Sequence, residues 1–173
     1  MLIRAADLDD VDELASCIVT SWLQAHEHQI PLHLWQRRRE NWTVDASAAA
    51  WKRTLLEIAA EAQLGSHVLV ATESERIVGL VAGIVDDSGA GEVTALYVGP
   101  EHQHRGVGKR LLEASFDALS AAGASTVRIV VLAANLPARR FYERLGGSEA
   151  GSAEVDEDEE VLPAIVYTWF LDE

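Results

Sequence analysis

At 173 residues the chain has the length of one domain, predicted to run from residue 1 to residue 173, and a chain of that size buries about 70% of its unfolded surface. Its 28 acidic against 14 basic residues leave a formal charge of −14, which argues against a nucleic-acid partner and favours cationic ones such as amines. A single cysteine excludes an intrachain disulfide framework, and no apolar run approaches the length of a membrane span.

Leu2 to Ala5 can form a short first strand. The opening residues carry no signal-peptide h-region, so the expected compartment is the cytoplasm. Asp7 is a predicted N-cap, with Asp9 and Asp10 in the first turn. Val11, Leu14, Ala15, Ile18, Val19 and Trp22 then recur at helical spacing. Cys17 falls off that stripe and reads as incidental. Gln24 to about Asn41 is a polar stretch rich in His and Trp, read as a connection. His26, His28 and His33 lack the ligand spacing of known zinc patterns, and no metal is expected.

A second helix carries Trp51, Leu55, Ile58, Ala59 and Ala62 on one face and ends at Gly65. His67 to Thr72 and Ile77 to Val85 read as strands joined by a polar turn. Asp86 to Gly91 is a turn signal before the strand Glu92 to Val98.

Gln103-His-Arg-Gly-Val-Gly-Lys-Arg-Leu-Leu112 follows that strand and opens a helical pattern. Two glycines one residue apart let a ligand approach the backbone closely. A helix start with free N–H groups and the positive end of a dipole is an anion site. Arg105, Lys109 and Arg110 add charge there, and Arg139 and Arg140 are a second cationic pair. The predicted ligand is a phosphate or pyrophosphate. A Walker A loop is disfavoured, because Gln103 stands where its first glycine belongs and Arg110 where its Ser/Thr belongs. A dinucleotide fingerprint would need glycine at Leu111. The pattern Gln103-x-x-Gly106-x-Gly108 remains.

The helix after the loop carries Val107, Leu111, Leu112, Ser115, Phe116 and Leu119 on one stripe and stops at Gly123. Val127 to Leu132 reads as a nearly continuous apolar strand, covered on both faces. Asn135 precedes a helix with Pro137 in its first turn and Gly146 at its C′ position. Ala164 to Leu171 makes a final strand. The predicted fold is an α/β layer around a mixed central sheet, in the order β-α-α-β-β-β-α-β-α-β-β.

The glycine pattern, Asn135 after the next strand, and Phe141-Tyr-Glu-Arg-Leu-Gly146 resemble, in order and spacing, the GCN5-related N-acetyltransferase (GNAT) family. The specific part of the resemblance runs from about Glu92 to Gly147 and implies the same fold order. It implies acetyl-CoA as acyl-donor cosubstrate and a loop of Gln103, His104, Arg105, Gly106, Val107, Gly108 and Lys109 holding the diphosphate. Backbone groups of Leu96, Tyr97 and Val98 would bind the pantetheine arm in a gap between the fourth and fifth strands. Asn135 would bond the pantetheine or cap the last helix. Tyr142 would be the general acid to the leaving thiolate, with packing between helix and sheet as its plain alternative. Glu92 aligns with the glutamate that some members use as base; others use a mid-strand position that is Val130 here. An oxyanion donor is expected from a backbone N–H of the Glu92 strand.

The acceptor implied is a primary amine of a small molecule or protein, with a cationic one favoured. Trp22, His26, His28, His33, Trp35 and Trp42 either wall its channel or pack the first helices together. The run Glu154 to Glu160, six acids in seven residues, either draws cations to that channel or is a solvated hairpin tip. The competing reading is a catalytically silent acyl-CoA sensor. A homodimer is common among similar enzymes, and no segment of the sequence marks an interface.

Overall fold

The computed structural model describes residues 1–60 and 65–171. Among these the elements run β1 (Leu2–Ala5), α1 (Val11–His26), α2 (Leu32–Asn41), α3 (Val44–Ala59), β2 (His67–Glu73), β3 (Arg76–Val85), β4 (Gly91–Val98), α4 (Val107–Ala121), β5 (Thr126–Leu132), α5 (Leu136–Arg144), β6 (Ser148–Glu157) and β7 (Glu160–Phe170). Ala62, assigned above to a helical stripe, lies outside the described residues. The strands form one sheet in the order β1-β2-β3-β4-β5-β7-β6. Only β4 and β5 are parallel; the other neighbours are antiparallel.

Local sequence explains most boundaries. Asp7 and Asp10 form a reciprocal capping box on a short 3-10 turn that leads into α1. The Thr43 hydroxyl accepts from the Ala46 amide at 3.2 Å to start α3. The element absent from the sequence reading is α2. Of its residues only Leu34 is buried, so it has no apolar stripe for a periodicity test to find. It forms from good helix formers, Gln, Arg and Glu, on a Leu34 anchor.

Two core layers flank the sheet. On one face α4 and α5 bury Val107, Leu111, Leu112, Leu119, Tyr142, Tyr167 and Trp169 against it. On the other, α1 and α3 bury Leu14, Ile18, Val19 and Leu55 against Val68, Val70 and Leu80. A third cluster of Trp22, Ile30 and Leu34 touches Tyr97, Leu132 and Leu162. β5 is not covered on both faces as expected: Val127, Ile129 and Val131 are buried, while Arg128 and Val130 between them are exposed. The helices α1–α3 cover β2 to β4 and reach β5 only at its last residue, Leu132.

Two irregularities shape β4. Its ladder with β5 spans only Gly91, Glu92 and Val93, opposite Val127, Arg128 and Ile129. Among the described residues, Thr94 to Val98 have no strand partner on that side, so the gap implied by the family resemblance is present. Against β3 the register jumps from Ala82↔Ala95 to Gly83↔Val93, which makes Thr94 the extra residue of a β-bulge.

Candidate active site

Beyond β4 the chain makes a 3-10 turn (Pro100–His102) and reaches α4 through Gln103 to Gly106. Gly106 caps α4 at φ +82 with no side-chain bond to the helix start, a left-handed conformation that a Cβ would strain. The first amide with a backbone partner is that of Arg110, on Gly106 O at 3.1 Å. The amides of Val107, Gly108 and Lys109 are therefore free to meet an anion. A Cβ on Gly108 would meet Phe141 at 3.4 Å and Val98 at 3.5 Å, ordinary contacts. The protein itself gives no reason for glycine there, whereas a ligand lying on the backbone would.

The other loop residues divide. His104 is left-handed at φ +59 and exposed. Gln103 folds back, its Nε2 donating to Val98 O at 3.2 Å, and so shapes the loop. The Ser21 hydroxyl donates to the same carbonyl at 3.2 Å, which leaves Val98 with its amide for any further bond. Lys109 pairs loosely with Glu113 at 3.6 Å. Arg105 and Arg110 are exposed and make no ion pair among the described residues. Arg139 is not available as a loop cation: it bonds the Tyr167 hydroxyl, Ala133 O and Glu149.

Tyr142 points from α5 into the gap side of the core, buried against Tyr167 and Trp169 at ring distances of 6.0 and 5.9 Å. The Tyr167 hydroxyl donates to Glu143 at 2.7 Å and accepts from Arg139, but the Tyr142 hydroxyl has no partner among the described residues. Burial holds Tyr142 firmly in the protonated form, with the neighbouring Tyr97 phenol adding to the effect. Tyr97 is itself pushed up to about 12, by burial first and then by the Glu157 charge, with Arg38 opposing. Asn135 caps α5: its Oδ1 accepts from the Ala138 amide at 3.2 Å and from Gln29 Nε2 at 3.2 Å. It thereby ties the α1–α2 connection to the gap.

Glu92 stands at the paired end of β4. Arg128, its direct partner in the ladder, donates to Oε2 through Nε at 2.8 Å and Nη2 at 2.6 Å. Asp86 lies 3.5 Å from the same guanidinium. Its carboxylate is held below the usual range, chiefly by the Ser88 hydroxyl and then by the Ala90 amide. Both Arg128 bonds end on Oε2, so Oε1 of Glu92 remains open.

Facing these groups, α1, α2 and the β6–β7 hairpin meet. Trp22 stacks on His26 at 4.5 Å and meets Trp42 edge-on at 5.8 Å. The Arg38 guanidinium lies 5.3 Å from both the Trp22 and the Trp42 ring and bonds Glu157 through Nε at 2.7 Å. His33 bonds Glu160 at 2.6 Å and Arg37 donates to Asp158 O at 3.1 Å. The acidic run does form a hairpin tip: Glu154 to Glu157 of β6 pair with β7, Asp158 and Glu159 make the turn at positive φ, and Glu154, Asp156 and Glu159 are exposed. Glu157 alone of its acids is buried. The Trp and His residues mainly pack helices: His26 Nδ1 meets Trp22 O at 2.8 Å, and Trp35 Nε1 donates to Leu23 O at 2.8 Å.

The fold thus brings Leu96, Tyr97 and Val98, the loop, Asn135 and Tyr142 around one gap, with Glu92 at its closed end. Sequence reading missed the Tyr97 side chain, Arg38 and Arg128, and named Glu157 only as part of the acidic run. Arg128 had a signal: a lone charge in an apolar strand needs a partner. The signal for Arg38 was a basic triplet, Arg37 to Arg39, with a single acid beside it.

A protein-family model described as the Acetyltransferase (GNAT) family matches residues 23–147. No curated protein matches the chain. Among solved structures, the PaiA N-acetyltransferase of Thermoplasma acidophilum in complex with coenzyme A is 18% identical, with 98% of each chain covered and a TM-score of 0.78. The GCN5-related N-acetyltransferase of Rhodopseudomonas palustris is 22% identical over 98% of this chain and 95% of that one, at a TM-score of 0.74. The yncA protein of Salmonella typhimurium, solved with its cofactor acetyl-CoA, is 22% identical over 100% and 95%, at a TM-score of 0.70. At these identities the likeness is one of fold.

Proposed function

The chain belongs to the GNAT family of acetyltransferases, and from that premise we propose that it moves the acetyl group of acetyl-CoA directly to a primary amine of a small molecule or a protein. One observation carries the reading. The unpaired stretch of β4 joins the Glu92 carboxylate at one end to the uncapped α4 start at the other. The PaiA and yncA structures, which hold coenzyme A and acetyl-CoA, support the same choice of donor.

Acetyl-CoA supplies an activated acyl carbon and a thiolate leaving group. The amides of Val107, Gly108 and Lys109 hold its diphosphate, aided by Arg105. Backbone groups of Leu96, with the Val98 amide, take the pantetheine arm in the manner of a missing strand, while the backbone groups of Tyr97 face β3. A backbone N–H on the same open edge faces the developing oxyanion.

The amine arrives as an ammonium, since a lysine-type amine titrates near about 10.4, and must lose a proton before it attacks. Glu92 Oε1 accepts that proton, directly or through water, while Arg128 fixes the carboxylate on Oε2. Tyr142 returns a proton to the sulfur, a role suited to a buried phenol that stays protonated. The chain's net charge of −14 favours a cationic acceptor.

Calorimetry with acetyl-CoA, followed by a thiol-release assay over an amine panel, tests the reading. Saturable heat and amine-dependent release are expected. Absence of heat, or equal displacement by ATP, would remove the donor assignment, and binding without release would mark a sensor.

A further inference from the structure

A cavity of about 180 Å³ opens between α3 and the sheet, lined by Trp51, Thr54, Glu57, Ser66, Ala82 and Thr94 among others. It adjoins the Glu92 end of the site. Ile84, which also lines it, is the cross-strand partner of Glu92, and Thr94 is two residues further along the same strand. Continuing the register past His67↔Gly83 sets Ser66 opposite Ile84. Ser66, just before β2, and then Ile84, Glu92 and Arg128 on β3, β4 and β5 therefore succeed one another in one row. With neighbouring strands about 4.8 Å apart, Ser66 and Glu92 are separated by roughly 10 Å.

Three features describe what would fit. The first is size. A cavity of about 150 Å³ accepts a benzene ring, so this one takes a ring with one small substituent. The second is polarity. Trp51, Ile58, Val68, Ala82 and Ile84 supply apolar walls, yet the Ser66 hydroxyl is buried with no hydrogen-bond partner among the described residues. Such a group waits for a donor or acceptor. The third is charge. Glu57 is exposed at the rim and Glu92 lies beyond Ile84, so carboxylates stand where an ammonium would enter and react.

We infer that the acceptor is an arylalkylamine: an aromatic ring in this cavity, a polar ring substituent on Ser66, and a short alkyl arm that carries the primary amine to Glu92. The inference rests on the transferase reading above and names its substrate class. A linear polyamine fits poorly, because it would bring a second ammonium into an apolar space and leave Ser66 unpaired.

The test measures thiol release from acetyl-CoA with 2-(4-hydroxyphenyl)ethylamine, 2-phenylethylamine, hexylamine, spermidine and an alanyl peptide. The hydroxylated arylamine should lead phenylethylamine about tenfold in kcat/KM and spermidine about a hundredfold. Ser66→Ala should shrink the first ratio toward one. Thr54→Phe, which fills the cavity, should raise KM for both arylamines tenfold or more while hexylamine changes little. Calorimetry with acetyl-CoA checks that each variant is folded and loaded. Preference for spermidine or the peptide, no turnover of either arylamine, or arylamine KM unmoved in Thr54→Phe would overturn the inference and leave the transferase standing. Failure of the unaltered protein to bind acetyl-CoA would instead bring down the transferase reading, and the inference with it.

Discussion

The two faces of the sheet are built by different means. Under α4 and α5 the aromatic rings of Phe116, Tyr142, Tyr167 and Trp169 pack in one apolar layer, and the ligand groups on offer there are backbone amides. On the opposite face α1–α3 leave β5 uncovered up to Leu132, and side-chain ion pairs hold what surrounds the gap: Glu92 with Arg128, Arg38 with Glu157, His33 with Glu160. A backbone site tolerates change in the side chains around it. A site made of paired charges changes character when one partner is exchanged. The first suits a donor common to a whole family, and the second suits an acceptor that differs from member to member.

Arg38→Met should destabilise the protein by about 3 kcal/mol, because Glu157 would stay buried without its counter-charge. Urea unfolding measures that loss, and calorimetry should find acetyl-CoA affinity nearly intact in the folded fraction. Comparable loss of donor affinity would mean that the faces are not independent.

Tyr142→Phe probes the packed face with the smallest change of shape. Turnover should fall by about 10²-fold, the usual contribution of a positioned proton donor, while acetyl-CoA affinity moves less than threefold. A variant as fast as the parent would reduce Tyr142 to a packing residue.

At the closed end of the gap, Glu92→Gln should lower kcat by about 10²-fold and flatten the acid limb of its pH profile. Arg128→Gln should cost less rate than Glu92→Gln, since the carboxylate stays and only the fork that fixes it on Oε2 is lost. An acid limb unmoved in Glu92→Gln would assign the proton to another group.

The smallest effect concerns acid stability. Burial lowers the affinity of His26 for its proton, and Glu157 and the Trp22 carbonyl only partly oppose this. Burial acts likewise on His67, whose Nε2 meets Ser115 Oγ at 2.8 Å on the α4 face. The unfolded chain then binds more protons than the folded one. Stability from these groups is complete above the unfolded value, about 6.5, and is lost as pH falls through the lower folded values. Urea midpoints from pH 8 to pH 5 should decline, less steeply in His26→Gln or His67→Gln than in the parent.

Sequence reading reached what is local. Gly106 and Gly108 follow a strand and open a helix, so their role rests on neighbours in the chain. The same holds for Asn135, which meets Ala138 three residues on. What it did not reach depends on distant register. The pairing of Glu92 with Arg128 needs β5 to lie beside β4, and that of Arg38 with Glu157 joins residues 119 positions apart. The acidic run does form a hairpin tip, but composition does not tell which of its acids is withdrawn from solvent. Burial of Glu157 follows only once α2, itself silent to periodicity, lies against the hairpin.

The bulge at Thr94 has a consequence for the whole reaction. Side chains along an even strand alternate, so Glu92 and Tyr97, five positions apart, would project to opposite sides of the sheet. One surplus residue reverses the parity of everything after it, bringing the carboxylate and the phenol to the same side while Val98 still turns toward α4. Deleting Thr94 would leave each residue's chemistry untouched and send Tyr97 to the wrong side, which makes this one position the frame on which both ends of β4 agree.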